Sequence, residues 1–438
     1  MKKVITYGTY DLLHHGHIRL LERAKALGDY LIVGVTADDF DKVRGKINVQ
    51  QSLMERVEAV RATGLADEII IEEYEGQKID DIKKYDIDIF TVGSDWIGYF
   101  DYLNEYCKVV YLERTQGVSS SEIRAEKRMI RLGLIGDALF IDKVITETAY
   151  VNGIQISAVC TSRKDIKTGE YMIVDSFENL LDNSDAVYVR SIPKFHYKQV
   201  KMALESGKHV LCESPMTLDT AESEELFELA KNNNLILMDA IKTAYATAYS
   251  RLLLLIKGGK IGDIISVDAT CTSLKSADGF PRTDWNGIHE WGPTALLPIF
   301  QLLGTDYKKC RTAVRFSDSM QDSFSKIDFV YDHAVASIKV GDGVKSEGHL
   351  VISGTKGYIY VPAPWWKTDY FEIRYENPAD NKRYFYQLDG EGIRNELVAF
   401  TRAIEKGTLL TSNISKAESI KITKVMENFE KKDNMTII

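Results

Sequence analysis

The chain from Lys3 to Leu112 alternates short apolar runs with amphipathic stretches whose apolar residues lie three or four positions apart. The apolar runs predict strands, and the amphipathic spacing predicts helices. The predicted strands are Lys3–Tyr7, Tyr30–Thr36, Glu68–Ile71, Ile87–Val92 and Lys108–Leu112, and the predicted helices are Ile18–Leu27, Ser52–Thr63 and Lys78–Tyr85, with a closing helix at Ser119–Arg131. Strands that alternate with helices favour a parallel sheet covered on both faces, so we expect an α/β fold.

A second series of the same kind starts at Met129 and continues to Asn232. Its predicted strands are Met129–Ile135, Ile154–Val159, Ala186–Val189 and His209–Cys212, and its predicted helices are Ser176–Leu181, Tyr197–Ser206 and Ala221–Asn232. From Ile264 onward, runs rich in Thr, Ser and Val replace this alternation and predict an open, largely antiparallel sheet. Its predicted strands are Ser266–Thr272, Thr312–Phe316, Ala334–Val340, His349–Ser353 and Gly357–Val361.

With 438 residues, of which 45% are hydrophobic, the chain is long enough for at least two packed cores. Its formal net charge is −9, and no run of Lys or Arg offers the basic face of a nucleic-acid-binding protein, so small phosphorylated partners are expected. No apolar run approaches the about 20 residues that cross a bilayer, and no secretory signal is visible, which predicts a cytoplasmic protein. Five cysteines lack metal-ligand spacing, and their odd number argues against a disulfide framework.

The tetrapeptide His14-His15-Gly16-His17 lies on the predicted turn between the first strand and the first helix. A helix N-terminus offers free backbone N–H groups and a partial positive charge, and Gly16 lets a phosphate approach the backbone closely. Imidazoles can donate hydrogen bonds to phosphate oxygens, and nucleotidyl transfer needs mainly such positioning and charge neutralisation. The alternatives are a solvated polar turn and a zinc site, of which zinc is disfavoured because no further Cys/His pair accompanies the histidines.

Two later motifs extend this pattern. Gly93-Ser94-Asp95-Trp96 follows a predicted strand, and Arg114-Thr115-Gln116-Gly117-Val118-Ser119-Ser120-Ser121 leads into the closing helix. Together with Gly8-Thr9-Tyr10-Asp11 and the histidine tetrapeptide, these motifs resemble the cytidylyltransferase family, and among its members the glycerol-3-phosphate cytidylyltransferases. The likeness runs almost unbroken from Met1 to about Lys127.

This resemblance implies a role for each motif. The histidines would contact the nucleotide phosphates and stabilise the transition state, while the arginine and serines of the last motif hold the triphosphate and the base. The implied catalytic residues are His14, His17, Lys46 and Arg114. The implied substrate-binding residues are Thr9, Tyr10, Asp11, Gly16, Arg44, Arg56, Lys78, Asp95, Trp96, Ser119 and Ser120. No protein-bound metal is implied.

Several of these residues also have a purely structural interpretation. The alternatives are surface charges for Arg44, Lys46 and Lys78, a helix-face ion pair for Arg56, a core aromatic for Trp96 and a helix N-cap for Ser119. One departure from the family pattern is Gly64, which stands where relatives often carry arginine, and Arg61 one helical turn earlier could compensate.

By the same resemblance, an oxygen of glycerol 3-phosphate attacks the α-phosphorus of CTP in line, giving CDP-glycerol and pyrophosphate. Mg²⁺ would enter with the triphosphate. The acceptor stays open between glycerol 3-phosphate and ethanolamine, choline, heptose or other polyol phosphates, because the superfamily handles them through similar motifs. CDP-glycerol would serve a cell-surface polymer such as teichoic acid or capsule, and self-association is expected because such enzymes are commonly dimers.

The second half begins with a stretch, Met129 to Ala138, that is typical of a dinucleotide-binding turn. With the segments Asp185–His196, Gly207–Pro215 and Gly354–Gly357, it resembles the Gfo/Idh/MocA oxidoreductase family. Members of that family bind NAD(P) on a Rossmann domain and react sugars or polyols on an antiparallel-sheet domain. The implied cofactor-binding residues are Gly133, Gly136, Ser162 and Arg163, of which the last two favour NADP over NAD.

Several positions depart from that family's pattern. Ala138 and Ile141 replace two glycines of the family's dinucleotide-binding motif. Ser214 replaces the lysine of the family's Glu-Lys-Pro motif, and Thr294 replaces the histidine that transfers a proton in the family. These changes favour a catalytically silent domain kept for oligomerisation or partner binding. The alternative is an NADP-dependent reductase that provides a different polyol phosphate to the first domain. Its substitute catalytic residues would be Lys242, Tyr245 or His289.

These expectations divide the chain into three domains. Residues 1–128 form a Rossmann-like nucleotidyltransferase domain of α/β class, and residues 129–250 form a second Rossmann domain. Residues 251–438 form an α+β open-sheet domain with a returning C-terminal helix.

Overall fold

The computed structural model describes residues 1–37, 49, 51–74, 76–113, 129–137, 139–166, 169–274, 287–317, 321–386, 388–407 and 413–438. Within these ranges the chain divides into two compact units, the N-terminal unit Met1–Met129 and the C-terminal unit Ile130–Ile438. No helix in the described ranges is long and apolar enough to cross a membrane.

The N-terminal unit contains a five-stranded parallel sheet. Its strands are β1 Lys3–Gly8, β2 Tyr30–Thr36, β3 Glu68–Glu72, β4 Ile89–Gly93 and β5 Lys108–Leu112, and its helices are α1 His15–Lys25, α2 Leu53–Ala62 and α3 Gln77–Tyr85. The strand order is β3-β2-β1-β4-β5, and every neighbouring pair is parallel. The order changes direction between β1 and β4, which is where open α/β sheets bind their ligands.

Both faces of this sheet are buried, because alternate residues of each strand point to opposite sides. Val4 belongs to an apolar cluster with Val60, whereas the next residue, Ile5, belongs to a second cluster with Ile82 and Phe90. The predicted α/β fold of this unit is therefore confirmed.

The predicted element boundaries are close to the observed ones in this unit. Tyr30–Thr36 and Lys108–Leu112 match the observed strands, while helix α1 begins at His15 and not at Ile18 as predicted. The difference arises because His14 caps the helix, so the polar tetrapeptide itself forms the first turn. Most of the predicted closing helix at Ser119–Arg131 lies outside the described residues, and its last two residues belong to a strand.

The C-terminal unit begins with a six-stranded parallel sheet. Its strands are β6 Ile130–Ile135, β7 Ile154–Cys160, β8 Met172–Val174, β9 Ala186–Val189, β10 His209–Glu213 and β11 Leu237–Ala240, and its helices are α4 Phe140–Thr148, α5 Phe177–Asp182, α6 Pro193–Glu205 and α7 Thr220–Asn232. The order β11-β10-β9-β6-β7-β8 is that of a dinucleotide-binding fold, with the switch point between β6 and β9. The sequence analysis missed β8 and β11, which have only three and four residues.

A nine-stranded sheet follows in the same unit. Its strands are β12 Ile264–Ser273, β13 Lys309–Phe316, β14 Asp322–Val330, β15 Val335–Asp342, β16 Leu350–Gly354, β17 Tyr358–Val361, β18 Tyr370–Arg374, β19 Lys382–Phe385 and β20 Met435–Ile437. The order is β19-β18-β17-β16-β12-β15-β14-β13-β20, and all neighbours are antiparallel except β12–β15 and β13–β20. The prediction of a largely antiparallel sheet is therefore confirmed.

Four helices accompany this sheet: α8 Thr247–Lys257, α9 Gly287–Leu303, α10 Ile393–Lys406 and α11 Lys416–Glu430. Helix α9 buries Leu296 and Phe300 in one apolar cluster that also contains Leu134 of β6 and Ile338 of β15. One core therefore joins the parallel and the mixed sheets of the C-terminal unit.

Candidate active site

The loop after β1 leaves the sheet at the switch point and adopts an unusual backbone conformation. Tyr10 and Leu12 have φ angles of 53° and 48°, in the left-handed region that side chains other than glycine rarely occupy. Hydrogen bonds hold the loop there: Gln51 N donates to Asp11 Oδ1 at 2.9 Å, and Leu12 N donates to Gln51 Oε1 at 2.8 Å. Sequence reasoning missed Gln51. Such backbone strain, when it is held in place, is typical of functional loops.

Arg56 of α2 holds the same loop from the interior of the unit. It is fully buried, and its guanidinium donates to the carbonyls of Thr9 at 2.6 Å, Thr36 at 2.8 Å and Gln51 at 3.1 Å. One side chain thus joins the end of β1, the end of β2 and the start of α2. The predicted contact of Arg56 with a substrate phosphate stays a prediction.

The histidine tetrapeptide supplies the N-cap and the first turn of α1, at the junction of the first strand and the first helix. His14 is the N-cap, and its Nδ1 accepts a hydrogen bond from Gly16 N at 3.1 Å. A neutral His14 ring therefore carries its proton on Nε2, which makes that nitrogen a donor. The His17 ring is stacked on His14 with 3.9 Å between centroids and meets the edge of buried Tyr10 at 5.5 Å. The two motif histidines thus form one pair over a fixed aromatic ring.

Asp95 and Trp96 lie at the end of β4, the strand next to β1. They form a single 3-10 turn, Ser94–Trp96, at the carboxyl edge of the sheet. Asp95 is exposed, and Trp96 is half-buried with its ring 5.8 Å from that of Phe100. The structure therefore brings these two residues to the same sheet edge as the histidines.

Lys78 is not a surface charge, which was its structural alternative. It is only 8% exposed and forms an ion pair with Glu72, the last residue of β3. Its Nζ lies 4.6 Å from the centroid of the Tyr7 ring. Burial raises the pKa of Tyr7 far above its usual range, so its hydroxyl stays neutral and donates to Asp81 Oδ2 at 2.8 Å. Lys78 is thus an internal cation at the sheet edge, and its contact with substrate stays a prediction.

Several predicted site residues lie outside the described part of the chain. They are Arg44, Lys46, Arg114, Ser119 and Ser120. Among the residues that are described, no group of three or more His, Cys, Asp or Glu side chains could hold a metal ion.

Two glycines of the C-terminal unit have different roles. Gly133 lies inside β6, where a Cβ would overlap the side chains of Ser184 and Leu180. It serves the packing of α5 on the sheet, and its role as a cofactor-binding residue stays a prediction. Gly136 follows β6 with φ of 146°, and a Cβ there would overlap the carbonyl of Arg190. Only glycine therefore fits at this switch point, which agrees with a place in a dinucleotide-binding turn.

Ser162 and Arg163 follow β7, where a cofactor ribose would lie in this fold. Ser162 N donates to Asp137 Oδ1 at 2.6 Å. Arg163 forms ion pairs with Asp142 at 2.8 Å and Asp165 at 3.0 Å. A ribose phosphate would have to compete with two carboxylates for this guanidinium, so the described residues fit NADP only in part.

A cavity of about 390 Å³ lies between the parallel and mixed sheets of the C-terminal unit. Its lining includes Lys242 and the two replaced positions Ser214 and Thr294. The other two substitute catalysts, Tyr245 and His289, are not among its described lining residues. Tyr245 donates to the carbonyl of Asp239 at 2.7 Å inside the core. Lys242 is therefore the substitute that the geometry favours.

Two family models match the chain. The first is described as cytidylyltransferase-like and matches residues 5–126. The second is described as the oxidoreductase family, NAD-binding Rossmann fold, and matches residues 132–240.

Similar proteins fall into the same two groups. The glycerol-3-phosphate cytidylyltransferase of Bacillus spizizenii is 52% identical over 126 residues, which cover 29% of this chain and 97% of that protein. The NADP-dependent scyllo-inositol 2-dehydrogenase of Bacillus subtilis is 24% identical over 331 residues, covering 69% of this chain and 97% of that protein. A 3-ketoreductase from Actinomadura kijaniata, solved in complex with NADP, matches with a TM-score of 0.63 and 19% identity over 71% of this chain and 99% of that chain. At that identity the likeness shows the fold.

Proposed function

We propose that this chain, which through its N-terminal unit belongs to the cytidylyltransferase-like family, makes CDP-glycerol and pyrophosphate from CTP and glycerol 3-phosphate. A Gfo/Idh/MocA oxidoreductase-like domain follows that unit in the sequence. The chain is a nucleotidyltransferase by its likeness to enzymes at about half identity. The choice of glycerol 3-phosphate as acceptor rests on that likeness.

The observation that carries the proposal is the stacked pair of His14 and His17 at the β1–β4 switch point. Donors fixed before substrate arrives can stabilise charge that develops on the phosphates, without reorganising during the reaction. An oxygen of the acceptor phosphate attacks the α-phosphorus, the bond to the pyrophosphate oxygen breaks, and no covalent enzyme intermediate forms. No general base is needed, because a phosphate dianion is already nucleophilic.

Mg²⁺ fits this site as part of the incoming triphosphate. The described residues offer no cage of three acidic or imidazole ligands, and Asp11 Oδ1 already accepts from Gln51 N. Bound to the triphosphate, the ion would offset phosphate charge, while the chain's own residues orient the nucleotide.

Two candidate functions remain for the C-terminal unit. The replacement of lysine by Ser214 and of histidine by Thr294 favours a silent domain used for oligomerisation or partner binding. The charged cavity with Lys242 in its lining favours the second candidate, an NADP-dependent reductase of polyol phosphates. Incubating the full chain with NADPH and a keto polyol phosphate separates them, because loss of NADPH absorbance would exclude the silent domain.

A wider role follows from the product. CDP-glycerol would be used for the synthesis of a cell-surface polymer such as teichoic acid or capsule. The enzyme that makes it would be cytoplasmic and would self-associate.

Pyrophosphate release, measured for each nucleoside triphosphate against a panel of phosphorylated alcohols, tests the proposal. We expect the highest kcat/KM for CTP with glycerol 3-phosphate. A higher value with ethanolamine, choline or heptose phosphate would overturn the acceptor assignment, and a preference for another nucleotide would overturn the whole proposal.

A further inference from the structure

Gln51, which lies two residues before α2, contacts the loop after β1 through its backbone and through its side chain. Its backbone N–H donates to Asp11 Oδ1 at 2.9 Å, and its side-chain Oε1 accepts from Leu12 N at 2.8 Å. Its carbonyl oxygen accepts from the Nε of buried Arg56 at 3.1 Å. The backbone of Gln51 is therefore fixed on both sides, which allows its side chain to fix the loop.

The loop needs such support because its backbone is strained. Tyr10 and Leu12 have positive φ angles of 53° and 48°. Residues that carry a side chain hold this conformation only where the surrounding contacts determine it. The hydrogen bonds with Gln51 act at Asp11 and Leu12, the two residues directly after Tyr10. They therefore determine how the chain leaves Tyr10.

Tyr10 transmits this constraint to the histidines. Its side chain is 1% exposed and belongs to the same apolar cluster as Leu21 of α1. A Cβ on Gly8 would lie 3.0 Å from the Tyr10 ring, so the ring is confined on that side as well. The His17 ring meets the Tyr10 ring with 5.5 Å between centroids, and the His14 ring stacks on His17 at 3.9 Å. A displacement of the loop would therefore move the Tyr10 ring and, with it, both imidazoles.

We propose that Gln51 is a positioning residue of the nucleotidyl transfer, which acts through the loop and the Tyr10 ring on the pair of His14 and His17. This role rests on the proposed function, in which that pair stabilises charge on the nucleotide phosphates. Donors that are held in place before the reaction stabilise the transition state more than the bound substrate, because they need no reorganisation. Loss of the Gln51 side-chain contact should therefore lower kcat and leave KM nearly unchanged.

Two other roles of Gln51 predict different results. If Gln51 only stabilised the N-terminal unit, its loss would lower the amount of folded enzyme, and the folded fraction would keep its kcat. If Gln51 acted on the phosphates directly, its effect on kcat would be the same with and without the His17 imidazole. The dependence of kcat on both residues therefore separates the three roles.

A double-mutant cycle on the full chain makes this separation. Gln51→Met removes the acceptor of Leu12 N and keeps a side chain of similar length. We expect kcat for pyrophosphate release from CTP and glycerol 3-phosphate to fall about tenfold, because small displacements of catalytic groups cost such factors, and KM for CTP to change less than about twofold. In the His17→Ala background, Gln51→Met should lower kcat less than about twofold, because the contacts to the pair run through His17.

Asn104→Leu is the matched control. Asn104 Oδ1 also accepts a backbone N–H, from Val109 at 3.2 Å, and Asn104 lies on an exposed turn of the same unit. This change should leave kcat within about twofold of the starting protein in both backgrounds, because Asn104 has no contact with the histidine loop among the described hydrogen bonds. Hydrogen exchange without nucleotide is a second measurement. Gln51→Met should speed exchange in peptides that contain Leu12, and Asn104→Leu should not.

The outcomes distinguish failure here from failure of the proposed function. A parent chain that releases no pyrophosphate would refute the proposed function and this role with it. An active parent with unchanged kcat in Gln51→Met, or with a raised KM alone, would overturn only the positioning role. An equal loss of kcat in both backgrounds would overturn it too, because Gln51 would then not act through His17. If Gln51→Met does not fold, Gln51→Asn replaces it with the same expected results, since its amide is one methylene too short to reach Leu12 N.

Discussion

The first strands of the two parallel sheets end in contrasting ways. After β1 the chain passes through two left-handed residues, Tyr10 and Leu12, and presents a stacked histidine pair at the sheet edge. After β6 the chain turns at Gly136 against the Arg190 carbonyl, and the Arg190 guanidinium lies 5.0 Å from the Phe140 ring centroid. The switch point after β1 presents imidazole nitrogens. At the switch point after β6, an arginine side chain packs on an aromatic ring.

This contrast separates what topology does from what residues do. In both sheets the strand order changes direction between two neighbouring strands, and ligands bind at the carboxyl ends of such strands in open α/β sheets. Both units therefore have a position where this topology favours a binding site. In the N-terminal unit, hydrogen bonds from Gln51 and from buried Arg56 fix the loop, and the half-buried imidazoles of His14 and His17 follow it at the sheet edge. In the C-terminal unit, Arg163 is held by Asp142 and Asp165. The same topology can thus hold imidazoles at the sheet edge in one unit and pair an arginine with carboxylates of the protein in the other.

The sharpest way to break the comparison is to remove one imidazole. His17→Ala should lower pyrophosphate release from CTP by about 10²- to 10³-fold, because it removes one preorganised donor to the phosphates. Steady-state kinetics would measure this, with His15→Ala as the control, since His15 is exposed and outside the stacked pair. Near-normal turnover by His17→Ala would show that the pair is not the reactive centre.

In the described part of the N-terminal unit, the positions of two candidate motifs could be predicted from sequence, because the motifs are contiguous. The tetrapeptide at His14–His17 and the turn at Asp95 and Trp96 lie where the pattern places them. Gln51 could not be found this way, since its role depends on hydrogen bonds to a loop forty residues earlier. The sequence contains only a weak indication of the ion pair between Lys78 and Glu72, which is that an acidic residue ends an apolar strand.

The C-terminal unit was harder to predict in detail. Gly133 resembles a fingerprint glycine in sequence, yet it faces Leu180 of α5 inside the sheet. Strand β14 was missed although Ser325, Ile327 and Phe329 alternate with less buried residues. The cavity lining comes from distant segments, so only the folded chain shows that Lys242 and Trp366 share a wall.

The second prediction concerns the buried arginine that supports the N-terminal loop. Arg56→Met should destabilise that unit by about 3 kcal/mol, because carbonyls of three residues lose their donor inside the protein. Arg61→Met on the same helix is the matched control, since Arg61 is exposed and pairs with Glu58, and it should cost less than about 0.5 kcal/mol. Urea unfolding followed by hydrogen exchange in β1 would measure both. Equal losses would contradict the supporting role.

The third prediction uses a buried acid of the C-terminal unit. Burial raises the pKa of Glu396 from 4.5 to about 8, so between these pH values the folded chain holds a proton that the unfolded chain releases. Stability should therefore fall as pH rises through this window, by about 1.4 kcal/mol per pH unit from this group. Glu396→Gln should flatten the pH dependence of exchange in β9, and Glu405→Gln, an exposed position on α10, should not. A parallel slope in all three proteins would contradict the assignment.

The smallest expected effect compares two matching helix caps. Ser52 with Glu55 begins α2, and Ser415 with Glu418 begins α11, each as a complete capping box. Either serine-to-alanine change should cost about 1 kcal/mol, because one exposed backbone N–H loses its side-chain acceptor. Only Ser52→Ala should also lower CTP turnover, by a few-fold, since the start of α2 carries Arg56 next to the strained loop. Thermal unfolding and pyrophosphate release on both variants measure the two effects. If turnover fell equally with Ser415→Ala, catalysis would depend on overall stability and not on the loop that α2 supports.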